Sequence, residues 1–231
     1  MEKYGKLIQS AILALGLLLL GLCIKSGIDN FTNKDRRVTV KGLAEKVVDA
    51  DHVTWNISVS GIGDDLNAIF SLLNGKVDII QRYLKENKLE GKATVTIQPF
   101  SITDNHANAW SEQRPAFRYS VTRSLSIASN DTKFISELKQ KAADELLERN
   151  VILDGDYAEY EYTKFQELKP EMMSEAIAAA EKTAQQFAEN SHSTINKIVE
   201  AGQGEFSIES ADIPFKKKVR VVSTITYSLK D

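Results

Sequence analysis

Two glutamates on one predicted strand have the spacing that comes closest to a catalytic pair. Glu159 and Glu161 lie in YAEYEYTKF, residues 157–165, whose alternating pattern predicts a strand. Side chains two residues apart on a strand point to the same side, about 7 Å apart, which overlaps the carboxylate spacing of inverting glycosidases. No second feature supports this chemistry, so we interpret the pair as part of a solvated strand face. We predict no catalytic residue.

The histidines and the cysteine also lack a pattern that favours chemistry. His52, His106 and His192 are far apart in the sequence, whereas a metal site needs converging ligands. Cys23 is the only cysteine and lies in an apolar run, so the chain after it has neither a disulfide nor a thiol nucleophile. Gly-rich phosphate loops, G-x-S-x-G and HExxH do not occur. The sequence therefore predicts no cofactor, no metal and no enzymatic activity.

The charge balance argues against a nucleic-acid partner. Residues 1–27 carry three lysines and one glutamate, which leaves 26 basic and 31 acidic residues in 28–231, a net charge of −5. Binding to phosphates requires a basic face. The cluster Lys216–Lys218 with Arg220 is a local exception, and we interpret it as solvated residues at the beginning of a strand.

An uncharged apolar run near the N-terminus indicates the cellular compartment in which the protein lies. Leu7–Ile24 is 18 residues long and precedes Lys25. At about 1.5 Å per residue a helix of this length spans about 27 Å, close to the roughly 30 Å hydrocarbon core of a bilayer. We predict a transmembrane anchor over residues 1–27. The N-terminus is expected in the cytoplasm, and the C-terminal domain in the periplasm or outside the cell, as in a single-pass protein of a bacterial inner membrane.

Two alternatives to a retained anchor stay open. A cleaved signal peptide would need small residues at alternate positions after the apolar core, and no Ala-x-Ala follows Cys23. Lipidation of Cys23 would need a small residue before the cysteine, whereas Leu20-Gly21-Leu22-Cys23 has leucine there. The absence of both patterns favours retention.

The remaining chain predicts an α+β domain. A polar linker covers residues 28–36 and the domain covers 37–231, with antiparallel sheets and helices packed on one face. Its predicted order is ββαββαβαββ, after one N-terminal transmembrane helix. The predicted elements are strands at 37–42 and 52–60, a helix at 65–87, strands at 93–100 and 117–127, a helix at 131–148, a strand at 157–165, a helix at 170–190 and strands at 197–202 and 217–229.

Two segments have features beyond this pattern. The polar stretch 101–116 contains His106 and Trp110, and it is either an exposed binding loop or a loop whose Trp110 folds back as a local plug.

The helix at 170–190 begins with Pro170 and has larger apolar residues at helical spacing, with alanines between them. Its small residues predict close approach to a sheet or to another helix. The predicted contact residues are Met173, Ile177, Ala180, Ala184 and Phe187.

Several segments together resemble the SIMPL-domain family. These are RVTVKGLAEKVVDADHVTWNISVSG at 37–61, the Ala-rich EAIAAAEKTAQQFAEN at 175–190 and INKIVEAG at 195–202. The resemblance covers roughly residues 37–229. The chain departs from the family pattern at 190–193, where Asn-Ser-His-Ser replaces a Gly-rich turn, and at 117–125, where the family's Gly-Tyr strand is not found.

The resemblance implies a bacterial envelope protein that is periplasmic or membrane-anchored. Some members of the family form ring-like or channel-like oligomers, and others are periplasmic immunogenic proteins or are linked to oxidative stress. The family has no established catalytic residues. We therefore expect a non-enzymatic homo-oligomer that contacts the membrane through residues 7–24 and acts by self-assembly or protein binding. The alternative is a binding module for a small molecule or an envelope polymer that uses the 101–116 loop.

Overall fold

The structure, a computed structural model, describes residues 2–32, 36–107 and 115–230, and within the first helix it describes the side chains of residues 13–28. The elements, in chain order, are α1 (Glu2–Thr32), β1 (Arg37–Asp49), β2 (His52–Gly63), α2 (Leu66–Glu86), β3 (Ala93–Ile97), β4 (Ser101–Asp104), β5 (Tyr119–Ser129), α3 (Thr132–Glu148), β6 (Gly155–Glu161), α4 (Phe165–Asn190), β7 (Thr194–Gly202), β8 (Phe206–Ser210) and β9 (Lys216–Lys230).

The predicted α+β class with antiparallel sheets is confirmed, but the predicted order is incomplete. Two short strands were missed: β4, inside the segment predicted as a loop, and β8, between the last two predicted strands. Both are four or five residues long, too short for alternation to distinguish a strand from a loop. The order after α1 is therefore ββαβββαβαβββ.

The apolar run forms α1, which continues to Thr32 and includes the beginning of the predicted linker. Its described residues, 13–28, are exposed and include Lys25 and Ser26. The prediction that this helix spans a bilayer is not supported, because no helix among the described residues is long and apolar enough to cross a membrane.

The chain forms two compact units. The first unit contains residues 1–45, 169–207 and 220–231, and the second contains residues 46–168 and 208–219. One sheet has four strands in the order β1-β9-β7, with β8 paired to β9. The other has five strands in the order β3-β5-β2-β6, with β4 paired to β5.

In the first unit, α4 packs on the four-stranded sheet through very small side chains. Its buried residues recur every four positions, which places them in one row along the helix. Under this row lies Gly42 of β1, where an added Cβ would stand 2.5 Å from Ala180 N and 2.8 Å from Ala180 Cβ. Larger residues on β1 or α4 would hold the two elements apart. The buried row of α4 in this unit is Met172, Ala176, Ala180, Ala184 and Ala188.

The predicted contact face of α4 was partly wrong. Ala180 and Ala184 do face the sheet, but Ile177 and Phe187 are 40% and 58% exposed. The alanine row faces the sheet because only alanine fits over Gly42 at this distance. The helix also begins at Phe165, so Pro170 lies inside it and not at its first position.

In the second unit, α2 and α3 cover one face of the five-stranded sheet. The core on that side contains the inward side chains of β2 and β5, in the alternation that the sequence predicted. Trp55 is fully buried, and its Nε1 donates a hydrogen bond of 2.6 Å to Asp156 Oδ1. Lys139 of α3 donates to the other oxygen of Asp156 at 3.0 Å. The ring is thus fixed at both its apolar body and its polar edge.

Ser223→Ala should raise the free energy of unfolding by about 1 kcal/mol, because an unsatisfied buried hydroxyl destabilises a fold. Ser223 is 2% exposed, and its Oγ has no hydrogen-bond partner among the described residues. The matched control on the same strand is Ser228→Ala. Ser228 Oγ exchanges hydrogen bonds with the backbone of Lys197 at 3.4 Å, so its loss should lower stability. Urea unfolding measures both, and equal destabilisation by the two variants would contradict the prediction.

Candidate functional site

The structure places the predicted glutamate pair on an exposed strand. Glu159 and Glu161 project from β6, which lies at the end of the sheet order and beside β2. They stand opposite Thr54 and His52 respectively. Tyr157, on the same face, is 64% exposed. Both glutamate side chains are exposed, which is the arrangement of a solvated strand face.

The three histidines have different local surroundings. His52 Nδ1 is 3.0 Å from Asn130 Oδ1, and His106 Nε2 is 3.0 Å from the carbonyl oxygen of Pro115. His192 has a left-handed backbone, with φ of 55°, just after α4. Within residues 13–28, 36–107 and 115–230, no group of three or more His, Cys, Asp or Glu side chains could hold a metal ion.

The 101–116 segment is partly a strand. Its first residues form β4, and Trp110, on which the binding-loop hypothesis depended, lies outside the described residues.

At the end of β4, Arg118 Nη2 and Nε donate to Asp104 Oδ2 at 2.9 and 3.1 Å. The Arg118 guanidinium, together with the His106 backbone N–H, outweighs partial desolvation and lowers the pKa of Asp104. The ion pair therefore anchors the base of the segment.

The uncovered face of the five-stranded sheet carries an unusual set of side chains. Side chains alternate along a strand, and residues paired across antiparallel strands share a face. On each strand the residues that alternate with the core residues therefore point to the opposite side of the sheet. They form a second face, which α2 and α3 do not cover. We name it the hydroxyl face. On β2 to β5 it consists of His52, Thr54, Asn56, Ser58, Ser60, Ile62, Thr94, Thr96, Ser101, Thr103, Ser120, Thr122, Ser124, Ser126 and Ala128.

The strand register aligns these side chains in rows across the sheet. One row crosses four strands from Thr96 through Ser126 and Asn56 to Tyr157. The next row runs from Thr94 through Ala128 and Thr54 to Glu159. At roughly 4.8 Å between strands, a row of four strands extends about 14 Å.

The hydroxyl face has no charged side chain on its inner strands, and most of its hydroxyls have no intramolecular partner. Among the described serines and threonines of the face, only Ser120 has a side-chain hydrogen bond, which its Oγ accepts from Asn105 Nδ2 at 2.9 Å. The other serine and threonine hydroxyls are free to donate and accept. Among the described strands of this sheet, carboxylates share the face only at its edge, where β6 carries Glu159 and Glu161.

The uncovered face of the other sheet provides a contrast within the same chain. There Thr39 and Thr226 are joined by a hydrogen bond of 2.9 Å, and Arg220 contacts Glu45 at 3.4 Å. This face is charged and internally paired, as is usual for the solvent side of an antiparallel sheet. The free hydroxyls of the second unit are therefore not a general feature of the fold.

An open groove of about 800 Å³ adjoins one end of the hydroxyl face. His52, Thr94 and Ala128 belong to both the groove and the face, and Asn130 lines the wall of the groove. Lys92 and Asp131 also line it and lie 3.9 Å apart, so their charges largely offset each other. At this end, the hydroxyl face therefore continues into a concave surface.

Sequence reasoning missed the hydroxyl face, although a signal was present. The segments ATVTI, SVTRSLSIAS and HVTWNISVS place serine or threonine at most alternate positions. Each segment alone predicts an ordinary half-buried strand. Only the pairing of β3, β5 and β2 shows that their polar sides form one surface.

Comparison with known proteins agrees with this architecture. Residues 38–227 match the family described as SIMPL, protein of unknown function (DUF541). The chain belongs to the SIMPL family. The resemblance to this family that the sequence indicated is therefore confirmed, and two of the segments that suggested it meet at the α4–β1 contact of this SIMPL domain.

Other comparisons add little to this assignment. No curated protein matches the SIMPL chain. Among solved structures, the crystal structure of a hydrolase from Listeria innocua matches over 80% of this chain and 91% of that chain, with 14% identity and a TM-score of 0.25.

Proposed function

We propose that this SIMPL domain is a non-catalytic protein of the bacterial cell envelope that α1 holds at a lipid surface, where it assembles with other copies or with other proteins. The observation that carries the proposal is the apolar surface of α1. Nine of its leucine and isoleucine side chains between residues 13 and 28 are more than half exposed. An apolar surface of this extent normally marks a membrane or protein contact.

Attachment to a surface would favour assembly. Confinement to a surface raises the effective concentration of the domain and strengthens weak lateral contacts. The outward side of α4 offers Ile177 and Phe187 for such contacts, since both are substantially exposed. A periplasmic location, with the domain on the far side of the inner membrane, is the arrangement we propose.

Replacing Leu18 and Leu22 of α1 by glutamate should abolish co-flotation of the full-length protein with phosphatidylethanolamine–phosphatidylglycerol vesicles, because each buried carboxylate costs several kcal/mol. The matched control replaces Ile62 and Ile152 by glutamate; they are similarly exposed but isolated. Light scattering of the full chain in detergent micelles then gives the mass of the assembly. A monomer at high concentration would contradict assembly, and unchanged flotation would contradict attachment.

A second candidate function is binding of an envelope polymer. Ser101 and Thr103 belong both to the segment first predicted as the lip of a binding loop and to the hydroxyl face. The binding surface in this candidate is the sheet face, of which the loop forms only the border.

A further inference from the structure

We propose that the hydroxyl face binds an uncharged, extended, β-linked polysaccharide that lies across the strands. The inference rests on the second candidate function and names the chemistry of its polymer. The face has a dense set of donors and acceptors, no charge on its inner strands, and an exposed aromatic ring at the end of a row. The donors and acceptors can pair with sugar hydroxyls, the lack of charge suits a neutral chain, and the aromatic ring can stack on a C–H face of a sugar.

Charge complementarity decides against other occupants. A nucleic acid or an anionic polymer would need lysine or arginine on the surface, and β2, β3, β4 and β5 place none on this face. Docking of a protein normally requires apolar anchors at its centre. Here Ile62, at one end, is the large apolar residue among the described members of the face, while the centre consists of Asn56, Ser58, Ser124 and Ser126.

The geometry also fits a chain of sugars. Strands follow each other at roughly 4.8 Å, which is close to the length of one extended hexopyranose unit. A glycan that follows the row from Thr96 to Tyr157 therefore meets one polar side chain per sugar. The aromatic ring of Tyr157 can stack on the C–H face of the last sugar, because the ring face is the negative side of its quadrupole.

Two local features shape the site. Gly155 stands opposite Ser58, and an added Cβ there would lie 2.5 Å from Ser58 Oγ, so glycine leaves this hydroxyl room. The adjoining groove admits a substituent larger than a hydroxyl beside His52 and Asn130. An N-acetyl group, whose amide pairs with such partners, has the size and polarity for this position. We therefore expect an N-acetylhexosamine polymer to bind more tightly than a plain hexose polymer.

Isothermal titration of the full-length protein in detergent with chitohexaose and cellohexaose tests the proposal. Both glycans should bind, and chitohexaose should bind more tightly. Ser126→Lys, at the centre of the face, should weaken binding by about tenfold or more. Tyr157→Ala should have a similar effect, and because the side chain is 64% exposed this variant keeps its fold. The matched control is Thr224→Lys, on the central strand of the other sheet, which should leave the affinity unchanged.

The outcomes separate this inference from the function on which it depends. Failure of both glycans to bind, or equal binding by wild type and Tyr157→Ala, would overturn it. If alginate binds and the neutral glycans do not, the protein binds a polymer of another class and the inference fails alone. If none of the three binds, the second candidate function fails as well. Loss of self-association in Ser126→Lys, without glycan binding by the wild type, would identify the face as a contact between copies and also overturn the inference.

Discussion

Replacement of Gly42 by alanine is expected to lower the free energy of unfolding by about 3 kcal/mol or more, at the upper end of the cost of overpacking. The added Cβ would collide with the backbone oxygen of Ala176 and would lie 2.5 Å from Ala180 N. These are backbone atoms of a helix, so the collision cannot be relieved by a rotamer change. Either α4 moves away from the sheet, or β1 distorts.

Gly75→Ala is the control for this substitution. Gly75 lies inside α2, and an added Cβ would meet nothing within 4 Å. Alanine there should raise stability by about 1 kcal/mol, because glycine is a poor helix former. Urea unfolding of the two variants compares the same chemical change at a closed and an open position. If Gly42→Ala were as stable as wild type, the close approach of α4 to β1 would be wrong.

Trp55→Ala should destabilise the protein by about 4 kcal/mol, a typical cost for removing a buried aromatic ring. Trp55 is fully buried on β2, in the core under α2 and α3. The substitution also leaves Asp156 without its hydrogen bond from Nε1, although Lys139 still neutralises it. Thermal unfolding followed by circular dichroism measures the loss.

Trp55→Phe divides this effect into its parts. Phenylalanine keeps most of the apolar contact and removes the hydrogen bond, so it should cost about half as much, on the order of 2 kcal/mol. Equal losses for Trp55→Phe and Trp55→Ala would show that the bond to Asp156, and not the volume of the ring, holds this part of the core.

The elements with strong periodicity were predictable from the sequence. The alternation in β2 predicted that Val53, Trp55, Ile57 and Val59 share one buried face, and all four are fully buried. The predicted second helix differs from α2 by one residue at each end. In these segments the local pattern and the tertiary environment favour the same conformation.

The face of α4 could not be predicted, because the pattern and the packing disagree there. Periodicity gives weight to large apolar residues, and it pointed to Ile177 and Phe187. The buried row instead consists of alanines after Met172, and the backbone of β1 at Gly42 lies too close to Ala176 and Ala180 for larger side chains there. That distance is a property of two segments far apart in sequence. The hydroxyl face was missed for the same reason: it exists only through the register of three strands.

The position of β9 in its sheet has a consequence for the order in which the chain can fold during synthesis. β9 lies between β1 and β7 in the sheet, yet it is synthesised after both of them. The segment that carries most of the second unit, residues 46–168, is made earlier and can fold first. Until residues 216–230 are synthesised, β1 and β7 lack the strand that lies between them in the sheet. The sheet on which α4 packs is therefore incomplete until then.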